Sequence, residues 1–372
     1  MKFSIKKNTI LEQLVNVNRA ISPKNIIPIL NGIKFELTKE GLHLTASDQD
    51  LTIKSFINAK DIESIDVEGE IIIQSKYIID IIKTMPSDIV NFEVVDGSNI
   101  IIYSETTKYN LNCLNSDDYP QIKMDESENH ISLNGLTLKQ MIKQTIFAVS
   151  QQESRPLLTG INININGNIL EFITTDSYRL AKKTIVLDEN FPEAVNIVVP
   201  GRNMNELDKI VNDNSNVEIH IFNNKVLFKV DNILFQSNLL NGQYPNTSNF
   251  IPKDFKYIIN TKLNKFFASI DRAALLTQSK ERNIVKMEAL EDKLCISSVA
   301  SEIGKVEDYV DAERNNDESL VISFSAKYMI DALRTMESDD ITIFMNGDSA
   351  PIVIKSSSDE SLIQLILPIK TY

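Results

Sequence analysis

The 372-residue sequence predicts an α+β protein of three repeated domains, each built as strand–helix–strands twice over. Two observations carry this reading. IPILNGI (27–33) returns as RPLLTGI (155–161), and TASDQDLTI (45–53) returns as ITTDSYRLA (173–181), both 128 residues on, so that Asp48 falls on Asp176. A helical segment occurs three times, KYIIDIIKTM (76–85), RNMNELDKIV (202–211) and KYMIDALRTM (327–336), at spacings of 126 and 125 residues. That period is too long for a solenoid, and each unit is large enough to hold a core of its own.

The elements follow in order. MKFSIKKNTI alternates as a strand, with Phe3 and Ile5 on one side and Lys2 and Ser4 on the other, and it lacks the apolar core of a signal peptide. NTILEQLVNVNRAI then places Ile10, Leu14, Val17 and Ile21 on one helical face. Its counterparts are LTLKQMIKQTIFAV, with Leu138, Met141, Ile142, Thr145 and Val149, and TKLNKFFASIDRAA, with Leu263, Phe266, Phe267 and Ile270. In the last of the recurring helices the stripe is Met329, Leu333 and Met336. After each recurring helix come two alternating apolar runs, with Asp96-Gly97, Asn223-Asn224 and Asn346-Gly347 as turn signals between them. The polar stretches NSDDYPQIKMDESENH and NGQYPNTSNFIPKDF mark the boundaries, giving domains at 1–122, 129–252 and 253–372.

Hydrophobic content of 42% and charge content of 24% are ordinary for a soluble protein, and no run of eighteen apolar residues occurs. Cys113 and Cys295 are far apart, which suits a reducing cytoplasm rather than a disulfide framework. A net charge of −13 argues at first against nucleic acid, but distribution matters more than the sum. The six helices, taken as 8–20, 76–85, 137–149, 202–211, 261–276 and 327–336, hold twelve Lys and Arg against six Asp and Glu. Basic helices on an otherwise acidic body would attract a phosphate backbone without reading bases. Their cations include Lys76, Lys139, Lys143, Arg202, Lys209, Lys262, Lys265, Lys327 and Arg334.

Enzyme signatures are sparse. His43, His130 and His220 are scattered without metal-ligand spacing, and no phosphate-binding glycine loop or nucleophile motif is present. Asp48 and Asp176 invite a competing reading as the acids of a repeat-built hydrolase or transferase. An Asp recurring before a turn is more often a backbone cap. A purely structural assembly protein is a third reading, and it would show no salt-dependent association with DNA.

Threefold repetition and basic helices, with PILNGI, RPLLTGI followed by TDSYRLA, QYPNTSNFIP and LILPIK in this order, resemble the bacterial DNA polymerase III beta subunits, the sliding clamps. The resemblance covers the whole chain. It implies the DNA clamp fold in a head-to-tail homodimeric ring, with helices inside and sheets outside. It implies a non-catalytic processivity factor of DNA replication, without cofactor or metal and without a membrane partner. Such a factor encircles double-stranded DNA and tethers the polymerase III catalytic subunit. A clamp loader, through its delta subunit, translesion polymerases and mismatch-repair proteins would share it. Lys24 and Gln152 match DNA-facing positions and would join the helix cations. The dimer contact would pair an edge strand around Tyr109 and Leu111 with the third-domain region around Leu276. A short peptide of the Gln–Leu–x–Leu–Phe kind would bind Leu158, Thr175, Ser177, Tyr178, Arg179, Leu180, Pro245, Phe250, Leu365, Leu367, Pro368 and Ile369. In that groove Leu158, Leu180, Pro245, Leu365 and Leu367 are expected as an apolar floor. Arg179 is expected at the rim, with its guanidinium free for peptide carbonyls.

Overall fold

The computed structural model describes residues 1–23, 25–277, 283–300 and 303–370. The six expected helices are present: α1 Lys7–Asn18, α2 Ser75–Thr84, α3 Gly135–Thr145, α4 Gly201–Asp208, α5 Leu263–Ala274 and α6 Ala326–Leu333. The chain divides into two compact units, Met1–Leu138 with Glu206–Leu239, and Lys139–Asn205 with Leu240–Tyr372.

In the first unit, strand Lys2–Lys6 buries Phe3 and Ile5, as its alternation requires, and sits inside a five-stranded antiparallel sheet. That sheet runs Ser64–Val67, Lys2–Lys6, Ile89–Val94, Asn99–Tyr103, Lys108–Asn112, and the last strand is an edge. Helix α1 buries Ile10, Leu14 and Val17 and packs against α2, whereas Ile21 lies beyond the helix end, half-buried. An eight-stranded sheet joins the first repeat to the back of the second through Leu51–Asn58 and Ile233–Asn238, in the register Ile53↔Phe235.

The second unit is organised around a twelve-stranded sheet. Its junction pairs Arg179–Val186 with Leu362–Ile366, in the register Leu180↔Leu365. Helices α5 and α6 bury Phe266, Ile270, Met329 and Leu333 against Ile259, Ile296, Phe324 and Ile343. Lys262, Lys265, Lys327 and Arg334 stay exposed, on or beside these helices. The two junctions lie 128 residues apart and use equivalent strands. Each fuses the front of one repeat to the back of the next, which is why compactness cuts through the middle repeat.

The repeated PILNGI and RPLLTGI motifs have a packing cause. In each, a short 3-10 turn, Pro28–Asn31 or Pro156–Thr159, runs into a strand that begins with glycine. A Cβ on Gly32 would lie 2.3 Å from Ile72 Cγ2, and one on Gly160 would lie 2.7 Å from the Val199 carbonyl oxygen. Both glycines have φ near −110°, at −104° and −112°, so closeness to a neighbouring strand selects glycine here, not backbone freedom.

Candidate peptide groove and charged helix surfaces

TDSYRLA spans the end of strand Ile169–Thr175, a tight turn and the start of strand Arg179–Val186. Asp176 Oδ1 accepts from the Tyr178 and Arg179 amides at 2.9 and 3.0 Å, and Ser177 adopts a left-handed φ of 79°. The first repeat reproduces this turn. Asp48 Oδ1 accepts from the Asp50 and Leu51 amides at 3.1 and 2.8 Å, and Gln49 has φ 78°. Both aspartates therefore spend a carboxylate oxygen on capping a turn, and the acid-pair reading loses its groups.

Thr175 fixes the turn from inside. Its hydroxyl donates to the Arg179 carbonyl at 2.6 Å, and its amide donates to the Tyr244 hydroxyl at 3.0 Å. Burial pushes the Tyr244 phenol pKa upward, so that hydroxyl stays neutral. The Arg179 expectation is overturned. Its side chain is buried, with Nε donating to Asp176 Oδ2 at 3.0 Å, Nη1 to Asp331 Oδ2 at 2.8 Å and Nη2 to the Phe147 carbonyl at 2.7 Å. Its guanidinium carbon lies 4.4 Å from the centre of the Tyr328 ring. Two carboxylates and a carbonyl take three of its five N–H donors and the side chain is buried, so the guanidinium is held in the structure rather than presented at a rim. The exposed arginine here is Arg155, whose Nη1 donates to the Ser177 hydroxyl at 2.9 Å.

Leu158, Leu180 and Leu365 come together with Ile173, Val198, Tyr244 and Val353 in one apolar cluster. They are buried, so they form the base beneath a surface rather than an open floor. The accessible apolar groups are Tyr178 (58% exposed), Phe250 (49%) and Leu367 (38%). The Leu367 amide donates to the Tyr178 carbonyl at 2.8 Å, which continues the strand pairing to the rim. Pro368 and Ile369 are half-buried, and the Ile369 amide bonds the Ser323 carbonyl at 2.7 Å. Pro245 is exposed instead of forming floor. It edges a cavity of about 440 Å³ shared with Tyr244, Thr247, Ile251, Asn162 and Lys182. Sequence reasoning missed Ile173, Tyr244 and Val353. Tyr244 belongs to a Tyr-Pro pair that recurs in the two boundary stretches, as Tyr119-Pro120 and Tyr244-Pro245, a signal that could have found it.

Of the positions expected to face DNA, Lys24 lies outside the described residues. Gln152, Lys76, Lys143, Arg202, Lys209, Lys262, Lys265, Lys327 and Arg334 are exposed, and Lys139 is half-buried. Lys143 pairs with Glu337 (3.9 Å), Lys209 with Glu206 (2.7 Å), Lys262 with Asp340 (2.8 Å) and Lys265 with Asp311 (3.5 Å). The Asp340 hydrogen bond holds the Lys262 pKa above its ordinary value. Exposed pairs of this kind are screened by solvent and contribute little to stability, so they can exchange for other anions.

Tyr109 and Leu111 sit half-buried on edge strand Lys108–Asn112, and Leu276 is half-buried just past α5 beside the exposed Leu275. The histidines are less scattered than their numbers imply. His130 and His220 are cross-strand partners with ring centres 5.0 Å apart. His220 also shares a cluster of potential metal ligands with Glu126 and Glu218.

Three family models tile the chain: the N-terminal domain of the DNA polymerase III beta subunit at residues 1–123, its central domain at 132–246 and its C-terminal domain at 248–370. Three tandem clamp-fold domains define a non-catalytic clamp. The chain is 41% identical to the beta sliding clamp of Bacillus subtilis and 37% identical to that of Staphylococcus aureus, covering all of both chains in each case. The crystal structure of the Bacillus subtilis DNA polymerase sliding clamp superposes over both whole chains with a TM-score of 0.96 at 40% identity. This chain belongs to the DNA polymerase III beta-subunit family, the bacterial sliding clamps. It is a processivity clamp that encircles DNA and tethers polymerase III, without catalysis of its own.

Proposed function

We propose that two copies of this chain close head to tail into a ring, with helices lining the hole and sheets outside, and that the surface around TDSYRLA receives short peptides from the proteins the ring serves. The strand junctions carry this reading. Leu51–Asn58 pairs with the last hairpin strand of the second repeat, and Arg179–Val186 pairs with that of the third. The equivalent strand of the third repeat, Gly304–Arg314, bonds Lys293–Ala300 on one side. On its other side it meets Tyr257–Lys262 only through Ala312–Arg314. Its leading part therefore keeps an open edge, and so does Lys108–Asn112, the last hairpin strand of the first repeat. Joining these two edges between copies continues the series, and unpaired edges seek such partners.

In this ring the helix cations and Gln152 would face the DNA backbone, holding it loosely and without sequence preference. Polymerase III and the clamp loader are partners of the family. Translesion polymerases and mismatch-repair proteins would compete for the same peptide surface. Tyr178, Phe250 and Leu367 offer the exposed apolar contacts for a peptide's Leu and Phe, over the base of Leu158, Leu180 and Leu365. The test is Leu276→Asp. A charge placed at the contact should give monomers by sedimentation while peptide binding persists. A dimer of unchanged stability would move the interface elsewhere.

A further inference from the structure

The alternation of strand Asn216–Ile221 puts Val217, Ile219 and Ile221 on its core face and Asn216, Glu218 and His220 on the other. A histidine on the outer face should be wet, yet His220 is 1% exposed. The inter-repeat segment covers it. Ser127 lies against the ring: its amide donates to Nδ1 at 3.1 Å, and its carbonyl oxygen and hydroxyl lie 3.1 and 3.3 Å from the same nitrogen. The Lys225 ammonium donates to the Lys123 carbonyl at 3.0 Å and helps seat the same segment.

The other ring nitrogen has no hydrogen-bond partner. His220 Nε2 is buried, and Glu218 Oε2 stands 3.4 Å from it, beyond good hydrogen-bond length. Glu126 completes the group, and one ligand atom from each of Glu126, Glu218 and His220 lies within 4.8 Å of the others. The Lys229 ammonium sits beside both acids, 2.7 Å from Glu126 Oε2 and 3.5 Å from Glu218 Oε2.

We propose that His220, Glu218 and Glu126 bind a divalent ion of the zinc class, and that the Lys229 ammonium competes with the ion for the two carboxylates. Three features support it. With bonds of about 2.0–2.1 Å, a tetrahedral ion holds its ligand atoms about 3.3 Å apart, close to the Nε2–Oε2 separation. Ser127 offers Nδ1 both a donor amide and an acceptor carbonyl, so binding the ion selects the tautomer in which Nδ1–H donates to that carbonyl and Nε2 turns its lone pair toward the acids, the usual backbone support for a metal-binding histidine. One imidazole and two carboxylates suit a borderline ion such as Zn²⁺ better than Ca²⁺ or Mg²⁺, which favour all-oxygen sites. Lys229 is about one-third exposed on a flexible stem, so it can swing into solvent when the ion enters. Because Glu126 belongs to the inter-repeat segment, the ion would pin that segment onto the sheet.

The experiment titrates Zn²⁺ into the chelator-stripped full chain in competition with a chromophoric chelator. A background of Cys113→Ser and Cys295→Ser removes thiol binding. One ion per chain is expected at the strongest site. His220→Gln and Glu126→Gln should each weaken it at least about tenfold. Lys229→Met should tighten it roughly tenfold, because the carboxylates no longer exchange a charged hydrogen bond for the ion. Glu126 is exposed, so its change should spare the fold, and that variant decides the matter if His220→Gln fails to fold. Equal affinity for wild type and Glu126→Gln, or weaker binding by Lys229→Met, overturns the proposal.

Discussion

Arg179 ties the turn at Asp176, the carbonyl of Phe147 and helix α6 at Asp331 together through one planar guanidinium. A lysine cannot reproduce that fork. Arg179→Lys should lower unfolding stability by about 1–3 kcal/mol, measured by denaturant titration, because a part-buried carbonyl and two carboxylates lose donors. Peptide affinity should change only through that loosening. The leucines divide in the opposite sense. Leu180 is fully packed, so Leu180→Ala should cost about 2–5 kcal/mol of stability. Leu367 is partly exposed, so Leu367→Ala should change stability by less than about 0.5 kcal/mol while weakening a fluorescent Leu–Phe peptide at least severalfold. A peptide affinity unmoved by Leu367→Ala would take the rim out of the binding surface.

The elements answer to local packing and to partners far along the chain. At the Gly160 strand start, Gly160→Ala should destabilise by about 1–3 kcal/mol, seen as a lower denaturant midpoint, since the Val199 backbone cannot retreat from a new methyl group. Lys183 is buried and donates to Asp359 Oδ2 at 2.6 Å across the junction of the twelve-stranded sheet. Burial alone would raise the Asp359 pKa, but the hydrogen bonds from Lys183 and Ser361 outweigh it and hold it below the ordinary value of 3.8. A depressed carboxyl adds stability above its unfolded pKa and loses it as pH falls through the folded one. Stability should therefore drop below about pH 4, and Asp359→Asn should flatten that part of the profile in acid titrations followed by circular dichroism.

Helix positions were legible because each stripe recurs at 3.6-residue spacing, and the Asp48 and Asp176 turns because the motif repeats. The strand junctions were not legible. Leu180 and Leu365 are 185 residues apart, and alternation gives a strand's faces but not its neighbour. The same limit explains Arg179, whose partner Asp331 lies 152 residues away, and His220, buried by a segment that reads as polar linker.

At the scale of the whole molecule, three repeats make two junctions, and among the described residues the equivalent strands Lys108–Asn112 and the leading part of Gly304–Arg314 have no junction partner. A second copy would supply each edge with the partner its equivalents already have, giving four junctions within the chains and two between them. Direct DNA affinity would then be weak and salt-sensitive, and retention would come from topology. A ring loaded on a circular plasmid should be lost when the plasmid is cut. The central claim is closure by a second copy, and small-angle scattering with sedimentation on the wild-type chain tests it most directly. A particle of twice 42.0 kDa whose envelope has a central hole is the predicted result. A 42.0 kDa monomer at micromolar concentration, or a dimer with no hole, would contradict it.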